Sequence, residues 1–446
     1  MKKLFVLVMA FALIAGMSGL VLAENEADIE QTGVNNAEAL IEQIGDNLDA
    51  DIIQGYGGYM EIKQDGIDHF AKIDSTGYNG GGDIDVFIDQ LDEGHNAEVD
   101  LASSQMKEYG LVDILQEGLE QDAWVRLRNP SENFDIDIDQ DGEDNVSNVD
   151  VGHGETEVNI SQDGIGNMAD VWTANWNNST DLEQTGDDNE VFITQKSNYG
   201  ELHRAGGEAL IEQIGDENTI NLDQTSRPDP WNTVADILQD GDLNEVDLNQ
   251  YIFSGSSPTR AYIEQTGEEN SITGEQTNKA IMDVFQDGDR NEVVLKQNTN
   301  YDRERAYIDQ IGDDNLIELD QESASAWIEQ DGNENVFRLE HNTVFPNQDG
   351  ESEVYFTQDG DNNEFVGFDG ESRTEWAYQN NSSYTGYQDG NNNVIGLNQK
   401  GNDNALITQE GDGNEAFLFQ DDEEEGHSAN IVQDGEGNSA TVKQSN

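Results

Sequence analysis

The sequence predicts an all-β solenoid in which short strand-arch-strand rungs stack along one axis and form two facing parallel sheets. Two observations lead to this prediction. A short unit recurs many times along the chain, and within each unit aliphatic or amide residues alternate with acidic or hydroxylic ones. Self-similarity at a fixed period is typical of repeat architectures, and a period of two is typical of strands that bury one face.

The repeated unit reads Gln-x-Gly-x-x-Asn-x-φ-x-φ-x-Gln, where φ is usually aliphatic. Six copies share the same eleven-residue spacing between their two glutamines. These copies are QTGDDNEVFITQ (184–195), QIGDENTINLDQ (213–224), QDGDLNEVDLNQ (239–250), QTGEENSITGEQ (265–276), QDGDRNEVVLKQ (286–297) and QIGDDNLIELDQ (310–321). Weaker copies start at Gln31, Gln140, Gln162, Gln330, Gln358, Gln388, Gln409 and Gln433. The repeat is clearest over about 162–446 and most eroded over about 54–130, and we predict one repetitive domain over 24–446.

A second short pattern precedes each unit and supplies the first strand of the rung. In the copy before Gly267, Ala261, Ile263 and Gln265 share one parity, whereas Tyr262 and Glu264 have the other. Because successive side chains of a strand point to opposite faces, we expect the aliphatic and amide set to face inward. The acidic and hydroxylic set then faces solvent.

The two strands of one unit are joined by a link of fixed length, x-Gly-x-x. Glycine permits positive φ, and the neighbouring Asp, Glu and Asn residues suit a tight turn. Links between successive units vary in length, from short ones after Gln276 to long ones after Gln224 and Gln250. One edge of the stack is therefore predicted to be constant and the other to accept insertions. The predicted arch glycines are Gly186, Gly215, Gly241, Gly267, Gly288 and Gly312.

The recurring amides share the inward parity of the aliphatic residues, and this predicts a structural role. An amide repeated at one position in every rung donates to one neighbour and accepts from the other, so it is buried without being left unpaired. The predicted amide ladder consists of Gln184, Asn189, Gln195, Gln213, Asn218, Gln224, Gln239, Asn244, Gln250, Gln265, Asn270, Gln276, Gln286, Asn291, Gln297, Gln310, Asn315 and Gln321.

Residues 1–23 have the features of a secretory signal peptide. Lys2 and Lys3 precede an apolar run over 4–22, and the segment ends on a small residue. We predict a mature chain that starts near Glu24 and is secreted, to an extracellular fibre or the cell surface. No later segment approaches the roughly 20 apolar residues of a membrane span, so we predict none.

Charge and cysteine content exclude several classes of partner and site. The chain has 95 acidic against 20 basic residues, a net charge of −75, which would repel nucleic acid and anionic lipid. It contains no cysteine, which excludes disulfides and zinc-thiolate sites. Stability must then come from repetition and burial.

The spacing of glutamine, glycine, asparagine and second glutamine in this unit resembles the curlin repeat of bacterial curli fibres. The resemblance places the ladder positions of that family on the glutamines and asparagines named above. It implies export in an unfolded state through a curli-like secretion channel, a nucleator partner, end-to-end self-assembly and a role in biofilm and surface adhesion. The chain departs from the family in its larger number of units, its more acidic charge and its alanine where serine is expected: Ala209, Ala261, Ala306 and Ala326.

The residues predict no catalysis. Carboxylate pairs are abundant because about one residue in five is acidic, so no pair stands out as a catalytic dyad. The six histidines lack ligand spacing, and we expect them in solvated loops: His69, His95, His153, His203, His341 and His427. We expect no cofactor. The acidic turns after Gln184 and Gln409 are compatible with diffuse or weak calcium binding.

The predicted function is that of a secreted subunit that polymerises end to end into curli-like amyloid fibres. The last full unit, Gln433 to Gln444, lies near the end of the sequence, and we expect an open strand edge there. The alternative is a monomeric acidic β-solenoid adhesin or surface-binding module, for which calcium is a candidate stabilising ion. An ice-binding solenoid would need flat ranks of threonine, which the sequence lacks. The outward aromatics Tyr262, Tyr307 and Trp327 form either an adhesive stripe or ordinary strand residues.

Overall fold

A computed structural model describes residues 5–9, 24–31, 37–55, 58–75, 83–91, 93–102, 109–128, 134–152, 154–174, 178–196, 207–226, 234–252, 259–277, 280–298, 304–322, 324–342, 352–365, 367, 382–399, 403–420, 426 and 428–444. Two compact units are distinguished. Unit 1 comprises Met1–Asn218 and Asp223–Trp231, and unit 2 comprises Thr219–Leu222 and Asn232–Asn446. Over these described residues the secondary structure consists of strands without helices, which confirms the all-β prediction.

The strands of unit 1 are mostly five to eight residues long and follow one another at short intervals. They are β1 (Phe5–Met9), β2 (Glu24–Gln31), β3 (Ala37–Glu42), β4 (Asn47–Gln54), β5 (Gly58–Lys63), β6 (Phe70–Ser75), β7 (Ile84–Asp89), β8 (Ala97–Ala102), β9 (Gly110–Leu115), β10 (Ala123–Arg128), β11 (Phe134–Asp139), β12 (Ser147–Val151), β13 (Thr156–Ile160), β14 (Gly164–Ile165), β15 (Ala169–Ala174), β16 (Asp181–Leu182), β17 (Gly186–Asp187), β18 (Val191–Lys196) and β19 (Glu208–Ile211).

The next strand, β20 (Ile220–Ser226), contains residues of both units. The strands of unit 2 continue the same pattern. They are β21 (Val234–Leu238), β22 (Val246–Ile252), β23 (Thr259–Glu264), β24 (Ile272–Thr277), β25 (Ala280–Phe285), β26 (Val293–Asn298), β27 (Glu304–Gln310), β28 (Ile317–Glu322), β29 (Ala324–Gln330), β30 (Phe337–Asn342), β31 (Ser352–Phe356) and β32 (Ser382–Tyr384).

Apart from the two-residue strands β14 and β17, which pair with each other, successive strands alternate between two parallel sheets in each unit. In unit 1 the sheet orders are β1-β3-β5-β7-β9-β11-β13-β16 and β2-β4-β6-β8-β10-β12-β15-β18. In unit 2 they are β21-β23-β25-β27-β29-β31-β32 and β22-β24-β26-β28-β30. Each strand thus pairs with the equivalent strand of the next rung, where a rung is two consecutive strands and the arch between them. This arrangement confirms the predicted strand-arch-strand solenoid.

The register places like residues side by side, and the buried parity is the predicted one. Ile263 pairs with Val284 across β23 and β25, and Val284 pairs with Ile308 across β25 and β27. All three side chains are buried, as is Ala261, whereas Tyr262 is 37% exposed. Each buried aliphatic side chain contributes about 1.5 to 3 kcal/mol, so a column repeated over many rungs stabilises what one rung could not.

In one rung of unit 2, a large side chain on one strand compensates for a missing side chain on the facing strand. Gly274 stands where neighbouring rungs have Leu248 and Leu295, and Met282 stands opposite the small residues Ala261 and Ala306. A Cβ at residue 274 would lie 2.8 Å from Leu295 Cδ2 and 2.9 Å from Met282 Cε. The methionine therefore fills the space that the glycine leaves, and the packing density of the core is preserved.

Strands also run through residues 54–130, where the repeat is weakest in the sequence. There, β5 to β10 keep the alternation of buried and exposed residues. Val86, Ile88, Val112 and Ile114 are 0 to 1% exposed. Alternation with period two is thus sufficient for a rung even where the Gln-x-Gly-x-x-Asn motif is incomplete.

The first strand, β1, lies within the segment predicted as a signal peptide, residues 1–23. It pairs in parallel with β3, with Phe5 opposite Glu38 and Met9 opposite Glu42. The described part of the chain contains no helix with the length and apolarity that crossing a membrane requires.

Candidate functional site: the amide columns

All eighteen predicted ladder residues are buried, with exposed fractions of 2% or less. They form three columns, each named here by its place in the repeat. The first-Gln column precedes the arch, the Asn column follows it, and the second-Gln column lies near the end of the second strand. In the central rung of unit 2 these positions are Gln265, Asn270 and Gln276.

The first-Gln column is a chain of side-chain hydrogen bonds that runs from rung to rung. Gln239 Nε2 donates to Gln265 Oε1 at 2.6 Å, and Gln265 Nε2 donates to Gln286 Oε1 at 2.7 Å. Gln286 in turn donates to Gln310 at 2.7 Å. In unit 1, Gln184 donates to Gln213 at 2.6 Å. Each amide therefore uses one donor and its acceptor within the column.

The Asn column connects the rungs and also fastens each arch. Asn315 Nδ2 donates to Asn291 Oδ1 at 2.6 Å and to the backbone oxygen of Gly312, in its own arch, at 3.2 Å. Asn335 repeats both contacts, with Asn315 at 2.7 Å and with Gly332 O at 3.0 Å. The three-residue spacing from glycine to asparagine is thus explained by one side chain that satisfies two acceptors.

The remaining predicted asparagines lie in the same column. In unit 1, Asn189 and Asn218 are joined at 2.7 Å. In unit 2, Asn270 donates to Asn244 and accepts from Asn291, each at 2.7 Å. The column is therefore continuous through each unit's clearest repeats.

The second-Gln column is built in the same way but points in the opposite direction from the first. Gln276 donates back to Gln250 at 2.8 Å, Gln297 to Gln276 at 3.0 Å, and Gln321 to Gln297 at 2.7 Å. In unit 1, Gln224 donates to Gln195 at 3.0 Å. Over these repeats the first-Gln column donates toward the C-terminus, whereas the Asn and second-Gln columns donate toward the N-terminus. Their amide dipoles therefore oppose one another inside the core. Later in the chain, Gln399 of the second-Gln column donates to Gln420 and so reverses the direction.

The first-Gln column is interrupted within unit 2. Within the part of the chain that the structure describes, Gln310 Nε2, Gln330 Oε1 and Gln358 Oε1 are buried without hydrogen-bond partners. The chain of bonds resumes from Gln358 Nε2 to Gln388 Oε1 at 2.6 Å. A buried amide group without a partner costs about 1 to 3 kcal/mol, which makes these rungs the weakest part of the column.

The arch glycines do not adopt the positive φ that was expected of them. The left-handed residue is the one after each glycine: Asp187 has φ 80°, Glu268 has φ 82° and Asp289 has φ 79°. At Gly312 the reason for glycine is proximity to the next rung, because a Cβ there would lie 3.2 Å from Asn333 Oδ1. A Cβ at Gly186 would make an ordinary contact with Asp216 Oδ1 at 3.4 Å. The other predicted glycines, Gly215, Gly241, Gly267 and Gly288, occupy the same position in their arches.

The left-handed residues form an additional column that the sequence reasoning missed. Asp216 Oδ1 accepts from the backbone N–H of Asp187 at 2.8 Å. In unit 2, Asp313 Oδ1 accepts from the N–H of Asp289 at 3.0 Å, and Asp289 Oδ1 accepts from that of Glu268 at 2.8 Å. Asp and Asn tolerate the left-handed region and supply this acceptor, which accounts for the acidic residue after the motif glycine.

Four further ladder glutamines lie where the motif is eroded. Gln43 donates to Gln64 at 3.0 Å, Gln64 to Gln90 at 2.9 Å, Gln90 to Gln116 at 2.6 Å, and Gln116 to Gln140 at 2.7 Å. A signal was present in the sequence, because these glutamines recur every 21 to 26 residues directly after an alternating strand.

The expectation that the histidines are solvated is wrong for two of them. His69 and His95 are 2% and 3% exposed, and their rings stack with centroids 5.0 Å apart at 10°. His69 follows Gly66 by three residues, so it occupies the position that asparagine has in the motif. His341 lies in β30, whereas His153, His203 and His427 fall outside the described residues.

The acidic side chains do not converge on a metal. Over the described ranges, no group of three or more His, Asp or Glu residues is placed to hold a metal ion. Burial instead raises the pKa of individual aspartates on the strands. In Asp113 the pKa is raised first by burial and then by the charges of Asp137, Asp139 and Asp89. Stacked acids of this kind repel one another along the sheet.

The family comparison agrees with this geometry. The model of the curlin-associated repeat matches residues 23–55 and 282–322. These two ranges carry the curlin-associated repeat. The second match contains six ladder residues: Gln286, Asn291, Gln297, Gln310, Asn315 and Gln321. The curlin-repeat family is structural rather than enzymatic. No curated protein and no solved structure matches the chain.

Proposed function

We propose that this curlin-repeat protein is a secreted structural subunit that self-assembles end to end into curli-like amyloid fibres. The fibres belong to the extracellular matrix and support biofilm formation and adhesion to surfaces. A curli-like secretion channel and a nucleator are the expected partners in export and assembly.

The observation that supports this proposal best is the translational repetition of the amide columns. Each rung presents the same three amides to the rung before it and to the rung after it, through bonds such as that from Gln265 to Gln286 at 2.7 Å. Backbone pairing between the assigned strands is parallel and in register, as between β27 and β29. A stack of this kind has no internal feature that limits its length, so rungs of a second copy can continue it.

The amide columns extend into the rung at 428–444. Gln433 accepts a hydrogen bond from Gln409 at 2.6 Å, and Asn438 donates one to Asn414. The same contacts therefore recur in this rung.

Charge is expected to control the rate of assembly. Outward acids stand in register along each stack, as in the arch column of Asp289 and Asp313, and like charges at strand spacing repel. Salt screens such exposed charges with a Debye length of about 10 Å at 0.1 M. Diffuse or weak binding of calcium would act in the same direction.

The test is electron microscopy and fibre diffraction of the secreted chain at several ionic strengths, with growth followed by light scattering. We expect fibres with a strand spacing of about 4.8 Å along the axis and faster growth as salt or divalent cations are added. A chain that stays monomeric at every ionic strength would contradict the proposal and favour the alternative of a monomeric, calcium-stabilised adhesin. Growth that is fastest at very low salt would contradict the role of charge.

A further inference from the structure

A groove of about 640 Å³ lies on the outward face of β21, β23, β25, β27, β29 and β31 in unit 2. Its floor is made of two parallel columns of outward side chains. The aromatic column consists of Asp236, Tyr262, Asp283, Tyr307, Trp327 and Tyr355. The acidic column, two residues further along each strand, consists of Leu238, Glu264, Phe285, Asp309 and Glu329.

The aromatic column is an ordered stack with a gap. The rings of Tyr307 and Trp327 stack with centroids 4.6 Å apart at 11°, and Trp327 and Tyr355 follow at 5.4 Å and 13°. The next rung carries Asp283 instead of a ring, and the rung beyond it carries Tyr262. One face of Tyr307 is therefore covered by Trp327, and its other face is directed toward the Asp283 rung.

The gap has the dimensions of a cation site. Parallel strands lie about 4.8 Å apart, so Tyr262 and Tyr307 are separated by two spacings, or roughly 9.6 Å. A group midway between them would lie about 4.8 Å from each ring, inside the limit of about 6 Å for a cation–π interaction. Asp283 stands on the rung between the two rings and supplies a carboxylate. We call this arrangement of Tyr262, Asp283 and Tyr307 the Asp283 slot.

The charge around the slot also favours a cation. The residues that line the groove include five carboxylates, from Asp236, Glu264, Asp283, Asp309 and Glu329, and no lysine or arginine. Burial raises the pKa of Asp283, although the charge of Arg260 lowers it in part. Burial and the charges of Glu329 and Asp331 raise the pKa of Asp309. A bound positive charge would relieve this repulsion.

The same face already uses one interaction of this type. The guanidinium carbon of Arg305 lies 5.6 Å from the centroid of the Trp327 ring. This arginine is on the side of the aromatic column away from the acidic column, where it covers Trp327. Arg260 has the matching position beside Tyr262, and its charge acts on the Asp283 carboxylate, so a bound cation would compete with Arg260 for that carboxylate. Tyr262 is 37% exposed, which makes the slot reachable from solvent.

We propose that the Asp283 slot binds a small quaternary-ammonium cation of the choline class, with the trimethylammonium group between Tyr262 and Tyr307 and the Asp283 carboxylate as counter-ion. A quaternary ammonium fits because its methyl groups pack on aromatic faces, and it is weakly hydrated. A hard metal ion does not fit, because it requires several converging oxygen ligands rather than ring faces. A ligand that carries its own carboxylate would be repelled by Glu264 and Asp309.

The test is isothermal titration of the purified chain with choline, compared with glycine betaine as the matched ligand that carries a carboxylate. We expect choline to bind and glycine betaine to bind at least tenfold more weakly. Asp283→Asn and Tyr262→Thr should each weaken choline binding at least tenfold. Asp247→Asn, an exposed acid on the opposite sheet, is the control and should leave binding unchanged.

Circular dichroism of each variant verifies that the solenoid is intact, so a loss of binding reports on the slot. Choline binding that is absent in the parent chain, or equal in the parent, Asp283→Asn and Tyr262→Thr, would overturn the proposal. The second source of this cation is a phosphatidylcholine headgroup, whose phosphate would lie against the acidic column. We therefore expect no co-sedimentation with phosphatidylcholine vesicles. Vesicle binding that Asp283→Asn abolishes would overturn the assignment to a free cation.

Discussion

The ring of Phe134 lies over the Cα atom of Gly110 on the adjacent strand. A Cβ at residue 110 would be 2.1 Å from both Cε2 and Cζ of that ring. The two residues are direct partners across β9 and β11, and Phe134 is 1% exposed. The glycine therefore provides the space that the aromatic ring fills, as in the aromatic rescue of glycine in designed sheets.

This contact predicts that Gly110→Ala destabilises unit 1 by about 1 to 3 kcal/mol, the usual cost of overpacking a core. Gly142→Ala is the matched control, because a Cβ there meets nothing within 4 Å. Urea unfolding of both variants measures the difference. Adding Phe134→Leu to Gly110→Ala should recover part of the loss, and equal effects of the two alanine variants would contradict the packing argument.

A second prediction concerns the amide ladder. Gln265→Leu keeps an apolar side chain of similar volume but removes the acceptor for Gln239 and the donor for Gln286. We expect a loss of about 1 to 3 kcal/mol for each amide group left unpaired, together with slower and less uniform fibre growth. Glu264→Gln, at the adjacent outward position, removes one repulsive charge and should leave growth unchanged or faster. Dye-binding kinetics and imaging compare them, and a Gln265→Leu chain that assembles like the parent would refute the ladder argument.

A third prediction concerns pH. Burial and neighbouring acids raise the pKa of Asp113 above its usual 3.8, so the folded state binds its proton more readily than the unfolded state does. The charged form is therefore a cost to folding near neutral pH, and this cost is relieved as the pH falls through the raised value. Burial also raises the pKa of Asp51, Asp74 and Asp170, and neighbouring acids contribute at Asp51 and Asp74. The effect on stability should add over these sites.

The thermal midpoint should accordingly rise as the pH is lowered from 7 toward the pKa range of these aspartates. Asp113→Asn should raise the midpoint at pH 7 by about 2 °C, since a half-exposed group contributes less than about 1 kcal/mol. Asp135→Asn, at an exposed position on β11, serves as the comparison. A thermal midpoint that falls steadily as the pH is lowered from 7 to 5 would contradict this prediction. It would show that aspartates with a raised pKa do not control the pH dependence of stability.

A fourth prediction separates the two edges of the stack. One residue inserted between Gly267 and Asn270 should break the rung, because Asn270 is held at 2.7 Å by both Asn244 and Asn291. The same insertion after Gln250, where the sequence carries a long link, should change stability by less than about 0.5 kcal/mol. The link over 253–258 lies outside the described residues. Hydrogen exchange of the rung amides reports the difference, and similar losses at both places would reverse the assignment of the edges.

Much of the candidate site follows from sequence because its physical cause is local. Gln265 and Asn270 have the parity of Ile263 and Ile272, and a polar residue at a buried position of a repeated strand needs a partner in the next rung. Parity alone therefore predicts columns of amides. The sequence did not predict which way each column donates, because the direction depends on the rotation of every amide against both neighbours.

Other features depended on contacts between rungs, which vary with the residues that happen to be adjacent. The role of the motif glycine is one of these, because the space at Gly312 is limited by Asn333, a residue of the next rung. The stacking of His69 on His95 is another, since each histidine taken singly looks like a surface residue.

The sequence by itself determined the fold class, the inward parity and the positions of the amides, because alternation with period two and a repeated glutamine are properties of one strand. Three features depended on the tertiary structure: the opposed directions of the amide columns, the column of left-handed residues at the arches, and the slot between Tyr262 and Tyr307. These features arise where side chains of different rungs meet at a spacing of about 4.8 Å, and residues 21 to 24 positions apart in the chain become neighbours only when the rungs are stacked.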